Sequence, residues 1–563
     1  MSAPSREQVL AEMTKPGGPF EITEVDIGGS KVRAYVNAPS SMRMMLEMTR
    51  GYGDRDFLVY GEDRVTFAQH LELVAGLAKW LADHHGVGKG DRLAIGMRNY
   101  PEWLVAFWAT QVLGAITVPL NAWWSEAELR YALDDAGVSF AIVDGERYER
   151  MVHDLAELKV PTIVVRHDGE VAEGAVHWSA VLAELDRSGE LPDVSIEPDD
   201  PSTILYTSGT TGHPKGAIGT HRNHMATFMN TALNGALDQA LAGPPRQDAP
   251  ANQPSMMVTF PFFHIGGINL LCMGTGFGLK LVLQYKWNLV EALELIQRER
   301  ITSFAAVPMI LRQLVESPLC AEYDLSSLTM VTGGAAAVPP DLVGGIGRTF
   351  GPNVKPATAY GLTEASGAAT VHPAADYVGR TTSVGRAHPV VDVHVVDPET
   401  GQRLPTGSIG ELWVHGPTVV AGYWNKPEAT EAAFTDGWFH TGDLGYLDEE
   451  GFVYIVDRIK DMVIRGGENV YCAEVEAVLF EHPAVADVAI VGIPHRELGE
   501  QVAAVVQLRE GASASADELK QHVAAQLAYF KVPEHVFFRD ESLPRTATGK
   551  VLKRDLRNEL APS

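Results

Sequence analysis

The stretch Tyr206-Thr-Ser-Gly-Thr-Thr-Gly-His-Pro-Lys-Gly216 constrains the chain more than any other. It follows the apolar, β-type run Ser202-Thr-Ile-Leu-Tyr206, so it is expected at the end of a buried strand. Gly209, Gly212 and Gly216 remove the Cβ atoms that would stop a backbone closing round an anion. Thr207, Ser208, Thr210 and Thr211 add hydroxyl donors, and Lys215 adds a positive charge. Backbone N–H groups in such a turn form an anion nest, so the expected ligand is a polyphosphate. The spacing is not that of a Walker A loop, because Lys215 follows Pro214 and precedes Gly216. A Gly/Ser/Thr-rich surface linker is the plainer alternative. The strand leading in and the Pro-Lys-Gly leading out speak against it.

A chain of 563 residues is too long for one core and implies several domain-sized units. Its formal charge of −27 excludes a phosphate backbone as partner, since nucleic acid needs a basic face. The same charge means that an anionic nucleotide has to be met by locally placed Lys, Arg or Mg²⁺. The three cysteines, Cys272, Cys320 and Cys472, are far apart and odd in number, which excludes a disulfide framework or a Cys-based zinc site. They suit a reducing compartment, and the first residues lack the profile of a signal peptide; the expected location is the cytoplasm. Trp103 to Trp124 is uncharged and long enough to span a bilayer. Gly114, Pro119 and Asn121 divide it into a helix and a strand, so it is expected to be core.

From Thr66 onward, helices alternate with strands. Apolar residues recur at helical spacing over Phe67–His84 (Leu71, Val74, Leu77, Leu81). Arg92–Met97 reads as a strand, 101–113 as a helix, 115–120 as a strand, Ser125–Ala136 as a helix and Ser139–Asp144 as a strand. Such alternation predicts parallel βαβ units, with ligands bound beyond the carboxyl ends of the strands. Residues 1 to about 60 are weakly patterned, 234–255 read as a surface loop, and Ser255–His264 as a strand ending in polar chemistry. Beyond about residue 385 the chain becomes β-rich, and the last hundred residues form a compact α+β unit.

Several further constellations carry chemistry. His264 is followed by Ile265, Gly266 and Gly267, small and apolar neighbours that resemble the floor of a slot more than a metal site. Val331–Pro339, containing Gly334 and Ala335, is a strand and a side-chain-poor turn on which a purine can lie; an ordinary αβ loop explains it equally well. In Ala359-Tyr-Gly-Leu-Thr-Glu-Ala-Ser366, Thr363 can bond phosphate oxygen and Glu364 can hold Mg²⁺, or the pair can be a simple helix start. Asp443, ending Gly437-Trp-Phe-His-Thr-Gly-Asp443, can accept ribose hydroxyls or serve as a turn residue. Asp457–Asn469 is a charged hinge around Gly466-Gly467, and Lys550 follows the flexible Gly549.

Together these motifs, in this order from about residue 60 to about 556, resemble the adenylate-forming superfamily of acyl- and aryl-CoA synthetases, luciferases and carrier-loading adenylation domains. The resemblance implies an α/β fold. A large N-terminal domain, 1–459, would hold doubly wound α/β subdomains and a β-rich subdomain at about 385–456. A small mobile α+β domain, 460–563, would carry the adenylation lysine, Lys550. It implies that Thr207, Ser208, Gly209, Thr210, Thr211, Gly212 and Lys215 grip the ATP phosphates and that Thr363 touches the α-phosphate. Gly334, Ala335, Ala359, Tyr360 and Gly361 would bracket adenine, Asp443 and Arg458 would hold ribose, and Glu364 would carry Mg²⁺. His264 would stand beside the acyl carboxylate, Lys460 would be the hinge, and Gly466 and Gly467 would belong to the strand lining the coenzyme A tunnel. Ile265, Gly266, Gly267, Leu270, Val307, Met309, Leu362, Ala365 and Gly367 would line the acyl slot.

The implied activity is ATP-dependent: a carboxylic acid becomes acyl-AMP with release of pyrophosphate, and the acyl group then passes to coenzyme A. Ile265 stands where amino-acid-activating relatives have an Asp, which argues against an amino acid substrate, and Thr358 stands where the family often has an amide. An apolar slot favours a medium- or long-chain fatty acid, with aryl or alicyclic acids as the alternative. A carrier-protein pantetheine as acceptor, a luciferase-like oxidation and a non-catalytic nucleotide-binding module are the competing classes. The expected partners are the acid, ATP and coenzyme A, with no nucleic acid, no integral membrane segment and a homodimer allowed.

Overall fold

The computed structural model describes residues 4–207, 214–242, 253–334, 338–351, 354–372, 374–546 and 549–560. Two mostly parallel sheets form its larger part. The first runs, in spatial order, Lys215–Thr220, Pro201–Thr207, Ile116–Pro119, Arg92–Gly96, Phe140–Asp144, Thr162–Val165 and Ala175–His177. Only the edge strand Lys215–Thr220 is antiparallel in it. The second runs Arg386–Ala387, Gly367–His372, Lys355–Leu362, Met330–Gly333, Ser303–Ala306, Ser255–Val258, Lys280–Leu283, Asp56–Tyr60 and Asp63–Thr66. Helices cover these sheets, which is why strands such as Phe140–Asp144 and Thr162–Val165 are buried along their whole length.

The helices begin and end where their local chemistry dictates. Thr66 and Gln69 form a capping box that starts Phe67–His85, and Gly86 in the left-handed region stops it. Ser125 and Glu128 do the same for Glu126–Ala136, which ends at Gly137. Pro101–Val112 carries the uncharged stretch into the core: Trp103, Leu104, Phe107 and Trp108 are fully buried. Among the described residues no helix is long and apolar enough to cross a membrane.

Beyond the two sheets lies a β-rich unit made of Asp392–Val396, Gly410–His415, Phe434–Thr435, Trp438–Leu447 and Val453–Arg458. A smaller sheet comes next: Glu468–Val470, Val463–Arg465, Gly499–Leu508 and Val485–His495, with His535–Arg539 parallel to Gly499–Leu508. It packs with the helices Cys472–Phe480 and Ala516–Ala524 around a core of Val475, Val488, Ile490, Val502 and Leu519, while Lys553–Leu560 brings Leu556 to a second core with Ala489, Val491, Ala503 and Val505.

The structure departs from the sequence-based expectation at several places. Residues 234–242, expected as loop, continue the helix His221–Ala242. The weakly patterned beginning holds the helix Arg6–Thr14, the hairpin Ile22–Ile27 and Ser30–Tyr35, and the strand Asp56–Tyr60, which pairs with Lys280–Leu283 in the second sheet. The strand before His264 is only Ser255–Val258. Phe260, Pro261 and Phe262 then turn inward as buried side chains, so the apolar run past Val258 is core-filling loop.

Gly361 shows how tightly the second sheet fixes the turn at its end. Its strand pairs antiparallel with Gly367–His372, and the register slips between Tyr360 and Gly361. A Cβ on Gly361 would lie 1.8 Å from the Gly367 carbonyl oxygen. Gly361→Ala is therefore expected to destabilise the protein by about 2 kcal/mol, measured by denaturant unfolding, and to displace the Thr363–Glu364 turn. An unchanged midpoint would contradict this close approach.

Candidate functional site

The register of one strand pair sets the site. Asp443 in Trp438–Leu447 lies directly opposite Arg458 in Val453–Arg458. Arg458 Nε stands 2.8 Å from Asp443 Oδ1, and the Tyr360 hydroxyl donates to Asp443 Oδ2 at 2.7 Å. Each carboxylate oxygen thus takes one protein donor and keeps lone-pair capacity for a ligand hydroxyl. The Asp443 N–H in turn donates to Thr441 Oγ1, and the Gly442 N–H to Glu411 Oε1. Burial, and then the Asp443 charge, holds the Tyr360 phenol well above its usual range, so it remains a donor. Asp443 lies within its strand and is not a turn residue.

Lys550 joins this group from the far end of the chain. Arg545 and Val551 pair across a short hairpin, in which the Thr546 N–H donates to the Lys550 carbonyl and the Lys550 N–H to Thr546 Oγ1. Arg545 anchors the hairpin to Gly549 O at 2.6 Å and to Asp487 at 2.5 Å. Burial, and beside it the Arg458 guanidinium, pulls the Lys550 ammonium down to about 8, while Asp443 and Asp461 act in the opposite direction.

A second line of contacts joins the two sheets. Lys215 opens the strand Lys215–Thr220, opposite Thr207, so the glycine-rich loop bridges an antiparallel pair. The Lys215 ammonium lies 5.0 Å from the centre of the Tyr423 ring, and the Tyr423 hydroxyl donates to Glu364 Oε1 at 2.8 Å. Burial raises the Glu364 carboxyl, with the Tyr423 hydrogen bond working against it. Val420 N–H donates to Glu364 O, and Trp424 N–H to Gly216 O, so 420–424 clamp both motifs. Sequence reasoning missed Tyr423; its signal is the Gly-Tyr-Trp turn closing the apolar run Val419–Ala421.

The other expected residues are spread over several elements. Ser208, Gly209, Thr210, Thr211, Gly212 and Ala335 lie outside the described residues. Gly334 comes after the strand Met330–Gly333, and its N–H donates to Ala306 O. Ala359, Tyr360, Gly361 and Leu362 end the strand Lys355–Leu362, and Thr363 and Glu364 form the 3₁₀ turn after it. Lys460 lies in a tight turn where the N–H groups of Asp461 and Met462 both donate to Arg458 O. Gly466 and Gly467, at φ +60° and +90°, form the turn between Val463–Arg465 and Glu468–Val470; they are hairpin tip, not strand.

His264 caps the helix Ile265–Phe277, its Nδ1 accepting the Gly266 N–H at 3.1 Å. Burial lowers it to about 4, so the ring is neutral with its proton on Nε2, a donor and not a general base. The expected slot is only partly formed by its residues. Ile265 is buried in the core, and a Cβ on Gly267 would meet the Pro261 carbonyl at 2.1 Å, so both serve packing instead. Leu270 and Ala365 are buried as well. A cavity of about 280 Å³ is lined by Trp123, Phe260, Phe263, Tyr285, Val307 and Met309, with Arg545, Thr546 and Gly549 also on its wall; of the expected slot residues only Val307 and Met309 line it.

The donor set bears on whether a divalent cation can bind. Among the described residues no three His, Cys, Asp or Glu side chains gather to hold a metal unaided. Glu364 alone fits Mg²⁺, which commonly takes one or two protein carboxylates and completes its shell with substrate phosphates and water.

Comparison with known proteins matches residues 47–424 to the family described as AMP-binding enzyme and residues 474–550 to AMP-binding enzyme C-terminal domain. A long-chain-fatty-acid–CoA ligase of Bacillus subtilis is 33% identical, over 90% of this chain and 92% of that one. A feruloyl-CoA synthase of an Amycolatopsis species is 34% identical, over 88% and 94%. The solved o-succinylbenzoate coenzyme A synthetase of Bacillus subtilis, in complex with ATP and a magnesium ion, superposes with a TM-score of 0.76 at 30% identity, over 91% and 98%.

Because Arg458 is one cause of the lowered Lys550 ammonium, Arg458→Gln is expected to raise the pH at which Lys550 becomes reactive. Mass-spectrometric rates of acylation of Lys550 across pH 6–10 measure it; an unmoved profile would remove Arg458 from the causes.

Proposed function

The chain belongs to the AMP-binding enzyme family and is an AMP-forming acid–CoA ligase, and from that premise we propose that it activates a hydrophobic carboxylic acid, a medium- or long-chain fatty acid first. The observation that carries the site is the Asp443–Arg458 pair, tied to the Tyr360 hydroxyl and near enough to Lys550 for both charges to act on its ammonium. In this reading Asp443 and Arg458 take the ribose, Gly334, Ala335, Ala359, Tyr360 and Gly361 flank adenine, and Thr207–Lys215 with Thr363 take the phosphates.

The chemistry is governed by charge. A carboxylate is ionised at neutral pH and needs no base, but it has to approach an α-phosphorus already surrounded by negative oxygen. Lys550 offsets that repulsion and the charge that builds on the phosphoryl oxygens as pyrophosphate leaves. Glu364 would hold Mg²⁺, which supplies further neutralisation of the phosphates when bound. His264, neutral and protonated on Nε2, orients the acid's carboxylate by donating to it. Thiolate attack on the acyl carbon of acyl-AMP then puts negative charge on the acyl oxygen, and the breaking C–O bond carries it to the departing AMP phosphate; this reading assigns Lys550 to the first step and not to this one.

The aliphatic side chains Val307, Met309 and Ile310 on the cavity favour a fatty acid, since each buried methylene contributes about 0.8 kcal/mol, and one relative bears that name. The aromatic walls of the 280 Å³ cavity, and the feruloyl-CoA relative, favour an aryl acid as second reading. The acceptor is coenzyme A, in the free form, with Gly466 and Gly467 at the thiol channel. We place the domain boundary at 459/460, with Lys460 as hinge, because one sheet ends at Arg458 and the next begins at Val463. Three buried free cysteines suit the cytoplasm.

Lys550→Ala is expected to cut acid-dependent pyrophosphate formation by about 10²–10³ while sparing thiolation of supplied acyl-AMP; an equal fall in both would overturn the role given to Lys550. In a panel of acids, turnover with C8–C16 acids above that with hydroxycinnamic acids supports the fatty-acid reading. The reverse order selects the aryl one.

A further inference from the structure

A buried ionic set behind Lys550 has no part in the two half-reactions as derived from Lys550, Glu364 and His264. Asp457, 6% exposed, is the residue before Arg458. Its Oδ1 accepts the Arg458 N–H at 2.7 Å and its Oδ2 accepts the N–H of Cys472. Cys472 is the first residue of the helix Cys472–Phe480, and Tyr471 before it offers no side-chain cap. The orphan N–H of that helix is therefore satisfied by a carboxylate from the β-rich unit, across the turn containing Lys460. The Cys472 thiol donates to the Asp461 carbonyl at 3.0 Å, drawing the same turn against the helix.

One turn along the helix, Glu476 accepts the Ile490 N–H at 2.7 Å and holds the Lys553 ammonium at 2.7 Å. The two side chains of that pair are 19% and 14% exposed. Lys553 opens the helix Lys553–Leu560, three positions after Lys550, and its charge also acts on Asp457 and on Lys550. A continuous path thus runs from Arg458 through Asp457, the helix Cys472–Phe480, Glu476 and Lys553 to Lys550.

We propose that Asp457, Glu476 and Lys553 are positioning residues that seat the Lys550 hairpin over Asp443 and Arg458, and so act in formation of acyl-AMP but not in its thiolysis. None of the three touches the reacting atoms. Lys553 pairs with Glu476, so removing it leaves that carboxylate without an opposite charge; Asp457 takes two backbone N–H donors, so removing it frees the helix start it caps. This rests on the role proposed for Lys550 in adenylation.

The test measures both half-reactions in Asp457→Ala, Asp457→Asn and Lys553→Gln. Asp457→Ala and Lys553→Gln are expected to lower acid-dependent exchange of pyrophosphate into ATP by about tenfold, in kcat more than in KM, with thiolysis of supplied acyl-AMP unchanged. Asp457→Asn keeps an acceptor for the Cys472 N–H and is expected to recover most of the loss. Equal losses in both half-reactions, in step with a lowered Tm, would make the set merely structural and overturn the proposal. Exchange at the wild-type rate in a folded Lys553→Gln protein would overturn it too. Should Asp457→Ala not fold, Lys553→Gln and Asp457→Asn decide. Failure of the wild-type protein to exchange at all would strike the proposed function instead, so the two failures are distinguishable.

Discussion

Asp443 and Arg458 face each other across neighbouring antiparallel strands, and the site is assembled around that pair. The carboxylate is buried, so it needs donors, and it finds one in Arg458 and another in the Tyr360 hydroxyl. The guanidinium in turn lies close enough to Lys550 to depress it. In a chain whose formal charge is −27, two anionic reactants meet only where cations are gathered on purpose. The strand register does part of that gathering, and the Arg545–Val551 hairpin does the rest.

The two large sheets contribute in a similar way. Each brings one motif to its end, and Tyr423 joins them by lying under the Lys215 ammonium and donating to Glu364. The Gly361 close approach fixes the turn that carries Glu364. His264, held neutral by burial, adds no charge, which is consistent with chemistry in which the nucleophile arrives already ionised. The hairpin after the small sheet carries Lys550, and the contacts behind it begin at Asp457, next to Arg458.

Much of this was legible in the chain. Continuous apolar strands bounded by capped helices declare a covered parallel sheet, and the paired sites Asp443 and Arg458 lie where a hairpin brings them together. What was not legible depended on tertiary context. The strand Asp56–Tyr60 joins a sheet whose neighbour, Lys280–Leu283, is far away in sequence, so local pattern could not place it. The loop reading of 234–255 rests on Ala242-Gly-Pro-Pro-Arg-Gln-Asp-Ala-Pro250, but the helix His221–Ala242 runs up to that stretch, with Asn234 and Asp238 partnered by His388 and Arg6 from elsewhere in the fold. His264 looked like a strand-end residue because the Phe-Pro-Phe-Phe run before it is apolar, yet that run fills the core as a loop. The acyl slot was the least legible part. A glycine in sequence marks either space for a ligand or a close backbone approach, and Gly267 is of the second kind.

The central claim is that this chain joins a carboxylate to the α-phosphorus of ATP before any thiol takes part. Isotope exchange of labelled pyrophosphate into ATP, run without coenzyme A, tests it most directly. The account predicts exchange that depends on a hydrophobic acid and needs no thiol. Exchange that appears only when coenzyme A is added, or with no acid offered, would contradict it.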